Sequence, residues 1–418
     1  MALIVQKYGG TSVANLERIK NVARKVLRDQ RKGNDLVVVV SAMAGETNKL
    51  IKMALDLTPM PDLREYDALI STGENVAVAL LAIAIQSMGG KARSLLAYQV
   101  PILSTEIYKD GRIKSIEVRK IKKLLKEGNI VVVAGFQGVD DDGNIHTLGR
   151  GGSDTTAVAL AAALKADVCE IYTDVDGVYT TDPNICPDAR KLEKISYDEV
   201  MEMASLGAKV LMIRSVELAK NYNVKLAVLS SMKDVPGTFV VKGDKEMEKT
   251  VVSGVAYDKN ECKITLSQVP DQPGVAATVF KLLGDAHIVV DMIVQNVSEK
   301  GYTDLTFTVR KEDMVRAQKL AEEARKKLGS GEIKIDPNVA KVSIVGVGMR
   351  SAAGVAAKMF DTLGKAGVNI QAISTSEIKV SCLIDAKYTE LAVRELHSAF
   401  ELAKGPASLK PKKRAKRR

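Results

Sequence analysis

The sequence has no tryptophan, and aromatic residues make up only 4% of it. Because proteins hold single-stranded nucleic acids largely by stacking bases on aromatic side chains, such a role is not expected. The formal net charge of +10 points the other way, but seven of the basic residues lie in the last twelve. Without those twelve, the chain has 54 basic and 51 acidic residues. The excess charge therefore predicts a disordered basic tail at 406–418 and no nucleic-acid partner.

Cysteine and histidine are also scarce, at Cys169, Cys186, Cys262, Cys382, His146, His287 and His397. None has the paired spacing of a metal site, so we expect no metal ion held by protein side chains alone. Widely spaced, unpaired cysteines are typical of a reducing compartment, which favours a cytoplasmic protein. The isolated histidines are interpreted as structural.

Three further signals are missing. The first ten residues do not combine a charged region with an apolar one, so no signal peptide is expected. The most apolar helical stretch, 76–88, is too short to span a bilayer, which predicts no membrane partner. The Gly-x4-Gly-Lys-Ser/Thr pattern is absent, and this excludes a P-loop enzyme. The length of 418 residues predicts two or three domains.

The most informative stretch that is present runs from Thr147 to Thr156. An all-apolar run of strand length precedes it, and an alanine-rich helix former follows it. Glycines let backbone N–H groups approach a ligand closely, and a helix N-terminus attracts anions. The stretch therefore favours a phosphate-handling site, and its alternative is a glycine-rich connection with a Ser or Asp N-cap.

A second strand–glycine–helix junction lies at the start of the chain. The apolar run 3–5 leads into Lys7 and then Gly9-Gly10, and apolar residues follow at helical spacing from Leu16 to Val26. A lysine at this position is either a charge for bridging phosphates or an ordinary solvated residue at a strand end. Further along, a valine-rich strand ends in Ser41, and Glu74 lies where a helix begins, a position that the helix dipole alone would favour.

Strands alternating with helices predict a mostly parallel, doubly wound sheet in this first region. Ligands of such sheets gather at the carboxyl ends of the strands. The segment 173–183 follows one of these strands, as either a plain turn or a loop on the nucleotide side. Its Asp-x-Asp-Gly does not continue as a calcium-binding loop.

Past a Pro- and charge-rich boundary at 230–249, the chain repeats itself. The tetrapeptide Gly274-Val275-Ala276-Ala277 recurs eighty positions later as Gly354-Val355-Ala356-Ala357. Each copy is predicted to contain a strand, a helix opened by a small-residue loop, and a further strand. Such a repeat indicates two copies of a small α+β unit.

The motifs 7–13, 41–44, 71–74, 135–138, 148–154 and 172–179 together resemble the amino-acid kinase family, and most closely its branch that phosphorylates aspartate. The repeat resembles the paired ACT ligand-sensing domains of that branch, and the likeness extends to about residue 403. It implies a three-layer α/β/α sandwich with a mostly parallel sheet, followed by two α+β ACT domains of βαββαβ type. The implied domains are 1–245, 250–340, 341–405 (whose C-terminal segment is a candidate for completing the first ACT domain) and the tail 406–418.

The resemblance implies ATP-dependent phosphorylation of the L-aspartate side chain with Mg²⁺, as the first step towards lysine, threonine and methionine through diaminopimelate. Lys7 and Asp154 are then the catalytic candidates. Substrate binding falls to Thr47, Glu74, Arg150, Gly151, Gly152 and Ser153. ATP binding falls to Lys7, Tyr8, Gly9, Gly10, Ser41, Thr173, Asp174, Tyr179, Asp182 and Lys209.

For the C-terminal half, the resemblance implies feedback inhibition by lysine, threonine or both. The effector candidates are Asp271, Gly274, Ala276, Gln295, Asn296, Ser298, Thr306, Asn369, Ile370, Ser374, Thr375 and Ser376. The ACT domains are expected to pair between chains in a homo-oligomer, and Met247 is a candidate internal start for a separate regulatory chain. Two alternatives remain open: a kinase of the same fold that acts on glutamate, acetylglutamate, carbamate or a nucleotide, and a non-catalytic amino-acid sensor.

Overall fold

A computed structural model describes residues 2–206, 210–243, 250–296 and 301–404. These residues form two compact units. The first contains 2–179, 191–205 and 210–243, and the second contains 180–190, Leu206, 250–296 and 301–404. The segment 180–190, which lies within the region predicted as the kinase domain, is thus part of the second unit.

The first unit is built on an eight-stranded sheet in the order β10-β12-β11-β9-β1-β2-β6-β3. Its strands are β1 (Leu3–Tyr8), β2 (Asp35–Val40), β3 (Ala92–Leu95), β6 (Ile130–Ala134), β9 (Val168–Thr173), β10 (Lys194–Ser196), β11 (Leu226–Ser230) and β12 (Thr238–Val241). All neighbours are parallel except β11 and β12. The prediction of a mostly parallel sheet is therefore confirmed.

Eight helices of this unit connect the strands: α1 (Leu16–Arg31), α2 (Glu46–Leu57), α3 (Leu63–Ile70), α4 (Thr72–Ser87), α5 (Arg119–Lys126), α6 (Gly152–Leu164), α7 (Tyr197–Ser205) and α8 (Ile213–Asn221). Helix α1 buries Ile19, Val22 and Val26 at helical spacing and packs with α4 in one core against the sheet. Helix α6 packs on β1 and β2. Since Tyr8 lies in the α1–α4 core, its neighbour Lys7 points to the other face, towards α6.

The sequence analysis did not predict a small second sheet in this unit. Its order is β5-β4-β7-β8, with β4 (Ile102–Ser104), β5 (Ile113–Ile116), β7 (Gln137–Val139) and β8 (Ile145–Thr147). Strand β8 leads directly into the glycine-rich stretch. The helical region Leu63–Ser87 has 25 residues and is therefore longer than the predicted stretch 76–88. By length and composition alone it could cross a membrane, contrary to the prediction. Half of its most apolar window is buried, and α4 belongs to the core.

In the described part of the second unit, an antiparallel six-stranded sheet in the order β14-β15-β13-β16-β18-β17 packs with four helices. Its elements are β13 (Gly254–Pro270), α9 (Val275–Asp285), β14 (Val290–Gln295), β15 (Tyr302–Arg310), α10 (Met314–Leu328), β16 (Ile333–Val345), α11 (Val355–Lys365), β17 (Ile370–Thr375), β18 (Lys379–Asp385) and α12 (Thr389–Ala399). The two predicted copies form two separate cores, one with α9 and α10 and one with α11 and α12.

The two copies share their central strands. Strand β13 pairs with β15 through 261–270, and with the second copy's part of β16 through 254–258. The predicted boundary at 340/341 falls inside β16. The first segment after the interdomain boundary, 254–258, therefore crosses from one copy to the other. The described C-terminal segment does not.

Candidate active site

A cleft opens where the adjacent parallel strands β1, β2 and β6 end, next to the first turn of α6. It is lined by Lys7, Gly10, Ser41, Ala42, Met43, Ala44, Gly45, Thr47, Glu74, Phe136, Gly149, Arg150, Gly151, Gly152, Ser153 and Asp154. These residues include both catalytic candidates and all six substrate-binding candidates from the sequence. The carboxyl edge of a parallel sheet is where ligands of such folds bind.

An ion pair joins the two catalytic candidates. Nζ of Lys7 lies 2.5 Å from Oδ1 of Asp154, and both side chains are nearly buried, at 12% and 10% exposed. Lys7 is fixed by the end of β1, whereas Asp154 is fixed by the first turn of α6. The carboxylate therefore holds the ammonium group at the cleft wall, and the cation is available on its remaining N–H groups for an anion in the cleft.

Glycines bring backbone groups close to this cation. A Cβ on Gly10 would lie 2.8 Å from the carbonyl oxygen of Ala42, so the loop after β1 packs directly on the loop after β2. A Cβ on Gly9 would lie 3.4 Å from Nζ of Lys7. No larger residue fits at Gly10 without a shift of the backbone, which accounts for the glycine at position 10 in physical terms.

Glu74 also lines the cleft and is only 3% exposed. Its Oε1 atom accepts a hydrogen bond from the backbone N–H of Ala42 at 2.9 Å, while Oε2 is buried without a hydrogen-bond partner. Burial raises the pKa of Glu74 to about 7, although the backbone hydrogen bond acts to lower it. A cationic group placed beside Oε2 would satisfy both the atom and the charge.

The start of α6 has the geometry of an anion site. Gly151 is left-handed, with φ of 72°, and a Cβ there would lie 2.0 Å from Cγ of Met212. The helix begins at Gly152, and the exposed Arg150 precedes it on the cleft wall. The N–H groups of Gly152 and Asp154 donate to the carbonyl oxygens of Gly149 and Gly151 at 3.0 and 3.1 Å. The positive end of the α6 dipole and one guanidinium therefore lie at the same region of the cleft.

The candidates on the nucleotide side are more dispersed. Thr173 ends β9, beside β1 in the sheet, and its hydroxyl donates to Oδ1 of Asp174 at 3.0 Å. The hydroxyl of Tyr179 donates to Asp176 at 2.8 Å. None of Thr173, Asp174 and Tyr179 lines the cleft. Their role in ATP binding stays a prediction, as does that of Tyr8, which is buried against Tyr172 with ring centroids 4.5 Å apart.

Two further ATP candidates lie elsewhere. Asp182 belongs to the second unit, where its Oδ2 atom accepts a hydrogen bond from the hydroxyl of Tyr257 at 2.9 Å. Asp182 does not line the cleft, and its role in ATP binding stays a prediction. Lys209 lies outside the described residues.

Phe136 lines the cleft but was not among the site residues predicted from the sequence. It has φ of 68° and lies between β6 and β7, and Leu148 donates its backbone N–H to the carbonyl oxygen of Phe136 at 2.8 Å. The signal that could have found it is the motif 135–138, which was noted without a function for any single residue. Asp67 and Arg214, which hold the glycine-rich stretch, also went unnoticed.

In the second unit, the effector candidates lie at matching places in the two copies. Gly274 and Gly354 are left-handed N-caps of α9 and α11, with φ of 93° and 85°. Strands β14 and β17 contain or adjoin most of the others, since Gln295 ends β14 and Thr375 ends β17. Asp271, Gly274, Gln295, Asn296, Asn369, Thr375 and Ser376 are exposed, and Ala276, Thr306, Ile370 and Ser374 are partly buried. Ser298 lies outside the described residues.

The sequence matches the amino acid kinase family over residues 2–230 and the ACT domain over 264–329 and 342–400. It is 56% identical to an aspartate kinase of Pseudomonas putida over 403 residues, which cover 96% of this chain and 98% of the relative. The chain belongs to the aspartokinase family. The fold predicted from the sequence is thereby confirmed.

Two crystal structures of an E. coli aspartokinase support this assignment. Aspartokinase III in complex with aspartate and ADP, in the R-state, has a TM-score of 0.79 at 26% identity and covers 95% of this chain and 99% of its own. The same enzyme with lysine and aspartate, in the T-state, has a TM-score of 0.78 at 26% identity with the same coverage.

Proposed function

We propose that this aspartokinase transfers the γ-phosphoryl group of ATP to the side-chain carboxylate of L-aspartate. A carboxylate oxygen forms a bond to the γ-phosphorus, the bond from that phosphorus to the bridging oxygen of ADP breaks, and ADP leaves. The products are ADP and 4-phospho-L-aspartate. The observation that carries the proposal is the joint presence of Lys7, Asp154, Arg150 and Glu74 around one cleft.

The chemistry fits this set of side chains. A carboxylate with an ordinary pKa of about 3.9 is ionised at neutral pH, so the acceptor needs no general base. The obstacle is repulsion between two anions, which positioning and charge neutralisation must overcome. Lys7, held by Asp154, offsets the charge on the transferring phosphoryl group. Asp154 orients the lysine and takes up no proton in this scheme.

The amino-acid end of the acceptor is proposed to bind on the opposite side of the cleft. Arg150 offers a planar fork for the α-carboxylate, supported by Gly151, Gly152 and Ser153 at the positive end of the α6 dipole. Glu74 faces the α-ammonium, which would pair with the buried Oε2 atom. Thr47 contributes a hydroxyl nearby.

The nucleotide is proposed to bind at the ends of β1 and β2, through Lys7, Tyr8, Gly9, Gly10 and Ser41. The further candidates are Thr173, Asp174, Tyr179, Asp182 and Lys209. The aspartate and ADP bound by the E. coli relative support these two ligands. The described residues hold no group of three or more His, Cys, Asp or Glu side chains suited to a metal ion. Mg²⁺ is therefore proposed to arrive with the ATP phosphates, since Mg²⁺ commonly binds through phosphates, waters and one or two carboxylates.

Regulation is proposed to act through the ACT domains. The lysine complex of the E. coli relative supports lysine as an effector, and threonine remains the second candidate. An effector that binds one arrangement of the chain more tightly than another shifts activity by that difference in affinity. We also propose a cytoplasmic homo-oligomer that pairs through its ACT domains, and entry of the product into lysine, threonine and methionine synthesis. The candidate internal start, Met247, lies outside the described residues.

The proposal is tested by ADP release with a panel of acceptors: aspartate, glutamate, N-acetylglutamate and carbamate. Aspartate is expected to exceed glutamate in kcat/KM by at least about tenfold, because one added methylene typically changes recognition by 10–200-fold. A preference for another acceptor would favour the second kinase function. ADP release with none of them would favour the amino-acid sensor.

A further inference from the structure

Two residues outside the cleft hold the loop that carries Arg150. Asp67 lies on α3 and is fully buried, and Arg214 lies in the first turn of α8. Neither lines the cleft. Each contacts the backbone at the beginning of the stretch 147–153, so together they fix where that stretch leaves the small sheet.

The Asp67 carboxylate receives three hydrogen bonds. Its Oδ2 atom accepts from the backbone N–H of Thr147 at 2.7 Å and of Lys109 at 2.9 Å. Its Oδ1 atom accepts from the hydroxyl of Thr147 at 3.0 Å. Thr147 is the last residue of β8 and lies three positions before Arg150. A buried carboxylate is expensive unless it is fully hydrogen-bonded, and here all its bonds are directed to two backbone segments.

Arg214 holds the other side of the same stretch. One guanidinium nitrogen donates to the carbonyl oxygen of Leu148 and to Oδ1 of Asp110, both at 2.9 Å. The other donates to the carbonyl oxygen of Gly111 at 2.6 Å. The planar fork thus joins the loop 109–111 to the residue that directly precedes Gly149.

The loop 109–111 is itself packed on the glycine-rich stretch. Gly111 donates its backbone N–H to the carbonyl oxygen of Thr147 at 2.9 Å. Gly149 is left-handed, with φ of 72°, and a Cβ there would lie 2.9 Å from Oδ1 of Asp110 and 3.1 Å from the carbonyl oxygen of Lys109. The left-handed Lys109, with φ of 67°, is held in that conformation by its N–H bond to Asp67.

We propose that Asp67 and Arg214 are positioning residues that set the location of Arg150, and so determine the affinity for the α-carboxylate of the acceptor. This inference rests on the proposed binding of aspartate by Arg150. The Arg150 side chain is exposed, but the backbone just before it is anchored at Thr147 and Leu148. These anchors define the position from which the guanidinium enters the cleft. Misplacement of a binding group by about 1 Å can cost on the order of 100-fold.

The experiment measures kcat and both KM values for Asp67→Ala, Asp67→Asn, Arg214→Lys and Arg150→Lys, and for the double variant of Asp67→Ala with Arg150→Lys. Glu199→Ala is the matched control, because Glu199 is also buried and accepts from the backbone N–H and the hydroxyl of one residue, Ser196, at 3.0 and 2.7 Å. Thermal unfolding of each variant reports the loss of stability that any buried carboxylate would cause.

Asp67→Ala is expected to raise the aspartate KM on the order of 10–100-fold and to leave the ATP KM within about twofold. Asp67→Asn should restore most of the affinity, because its amide oxygen can accept both N–H groups and its NH₂ can donate to the Thr147 hydroxyl. Arg214→Lys should raise the same KM, since an ammonium cannot bridge the two carbonyl oxygens. In the double variant, the two effects should not add.

The inference would be overturned by an unchanged aspartate KM in Asp67→Ala or by additive effects in the double variant. It would also be overturned if Asp67→Ala and Glu199→Ala raised the aspartate and ATP KM values equally. If Asp67→Ala does not fold, Arg214→Lys carries the test, and a normal aspartate KM there would overturn it. A wild-type enzyme that does not phosphorylate aspartate would instead refute the proposed function, and the inference with it. An active wild type with normal variants refutes the positioning role alone.

Discussion

Nζ of Lys7 and Oδ1 of Asp154 lie 2.5 Å apart, although the two residues are 147 positions apart in the sequence. Parallel strand β1 delivers the cation and the first turn of α6 delivers the carboxylate. Because α6 packs on β1, the pair is fixed by the core of the first unit and not by flexible loops. The account of catalysis is based on this prearranged charge.

Lys7→Ala is expected to lower kcat on the order of 10²–10³-fold with a much smaller change in either KM. The charge that Lys7 offsets develops in the transition state, and loss of one preorganised group of this kind typically costs that much. Steady-state kinetics provide the measurement, with Lys20→Ala as the control because Lys20 pairs with Glu17 on the surface. A raised KM with normal kcat would contradict this role.

Arg150→Lys is expected to raise the aspartate KM strongly and to leave the ATP KM near normal. A lysine ammonium cannot reproduce the two parallel hydrogen bonds of a guanidinium to a carboxylate. The control is Arg119→Lys, where an exposed arginine pairs with Glu117. If aspartate saturates Arg150→Lys as it does the wild type, Arg150 does not bind the substrate.

The pH dependence of aspartate binding is expected to follow Glu74. Burial raises the pKa of Glu74 to about 7, so the free enzyme holds a neutral carboxyl group below that pH. The α-ammonium of aspartate binds the ionised form of Glu74. The KM for aspartate should therefore increase as the pH falls through about 7, approaching about tenfold per pH unit. In Glu74→Gln, the KM for aspartate should be higher than in the wild type but nearly constant between pH 6 and 8. A wild-type profile that is flat over this range would show that Glu74 does not titrate with binding.

Gln295→Ala is expected to raise the concentration of lysine or threonine required for half-maximal inhibition. Gln295 ends β14 and pairs with Leu305 of β15, whose Tyr302 pairs with Pro270 at the end of β13, directly before the loop that leads into α9. The matched control is Gln318→Ala, an exposed glutamine on α10 of the same copy. If neither amino acid, alone or combined at millimolar levels, slows the wild type or shifts its Tm, these two effectors are wrong.

Lys341→Met is expected to destabilise the protein by about 3 kcal/mol, because it leaves a buried carboxylate without its cation. Lys341 is 4% exposed and pairs with Glu261 at 3.2 Å and with Asp291. Burial raises the pKa of Glu261 to about 7, even with the cation present. When a carboxyl group has a higher pKa in the folded state than in the unfolded state, the folded state becomes less stable as the pH rises through that pKa. The variant should therefore be less stable at pH 8 than at pH 6.

Thermal unfolding at both pH values measures this effect. Lys365→Met is the control, since Lys365 forms an exposed pair with Asp361 that should contribute less than about 1 kcal/mol. Equal Tm values for the two variants would contradict the importance of the buried cluster.

The sequence predicted the parts of the fold that have strong local patterns. The valine runs of β2 and β6 and the spaced apolar residues of α1 identify buried strands and an amphipathic helix without tertiary information. The glycine-rich ends of these strands then located the cleft. Strands β4, β7 and β8 have only three residues each, which is too short for any period to be visible.

Long-range contacts explain the rest. Asp67 resembles an ordinary polar residue within an apolar helix, and its partner Thr147 is eighty positions away. Asp182 follows the nucleotide-side motif in sequence, but the chain enters the second unit at Thr180, where Asp182 bonds to Tyr257. The eighty-residue repeat predicted two copies of one small unit, but it carries no signal for the long strand β13, which pairs in both copies.

The most direct test of the central claim is trapping of the product. The purified protein is incubated with ATP, Mg²⁺, aspartate and hydroxylamine, and the hydroxamate formed from an acyl phosphate is measured against an identical reaction without aspartate. The account predicts aspartate-dependent hydroxamate in the wild type and its loss on the order of 10²-fold or more in Lys7→Ala. Equal signals with and without aspartate in the wild type would contradict it.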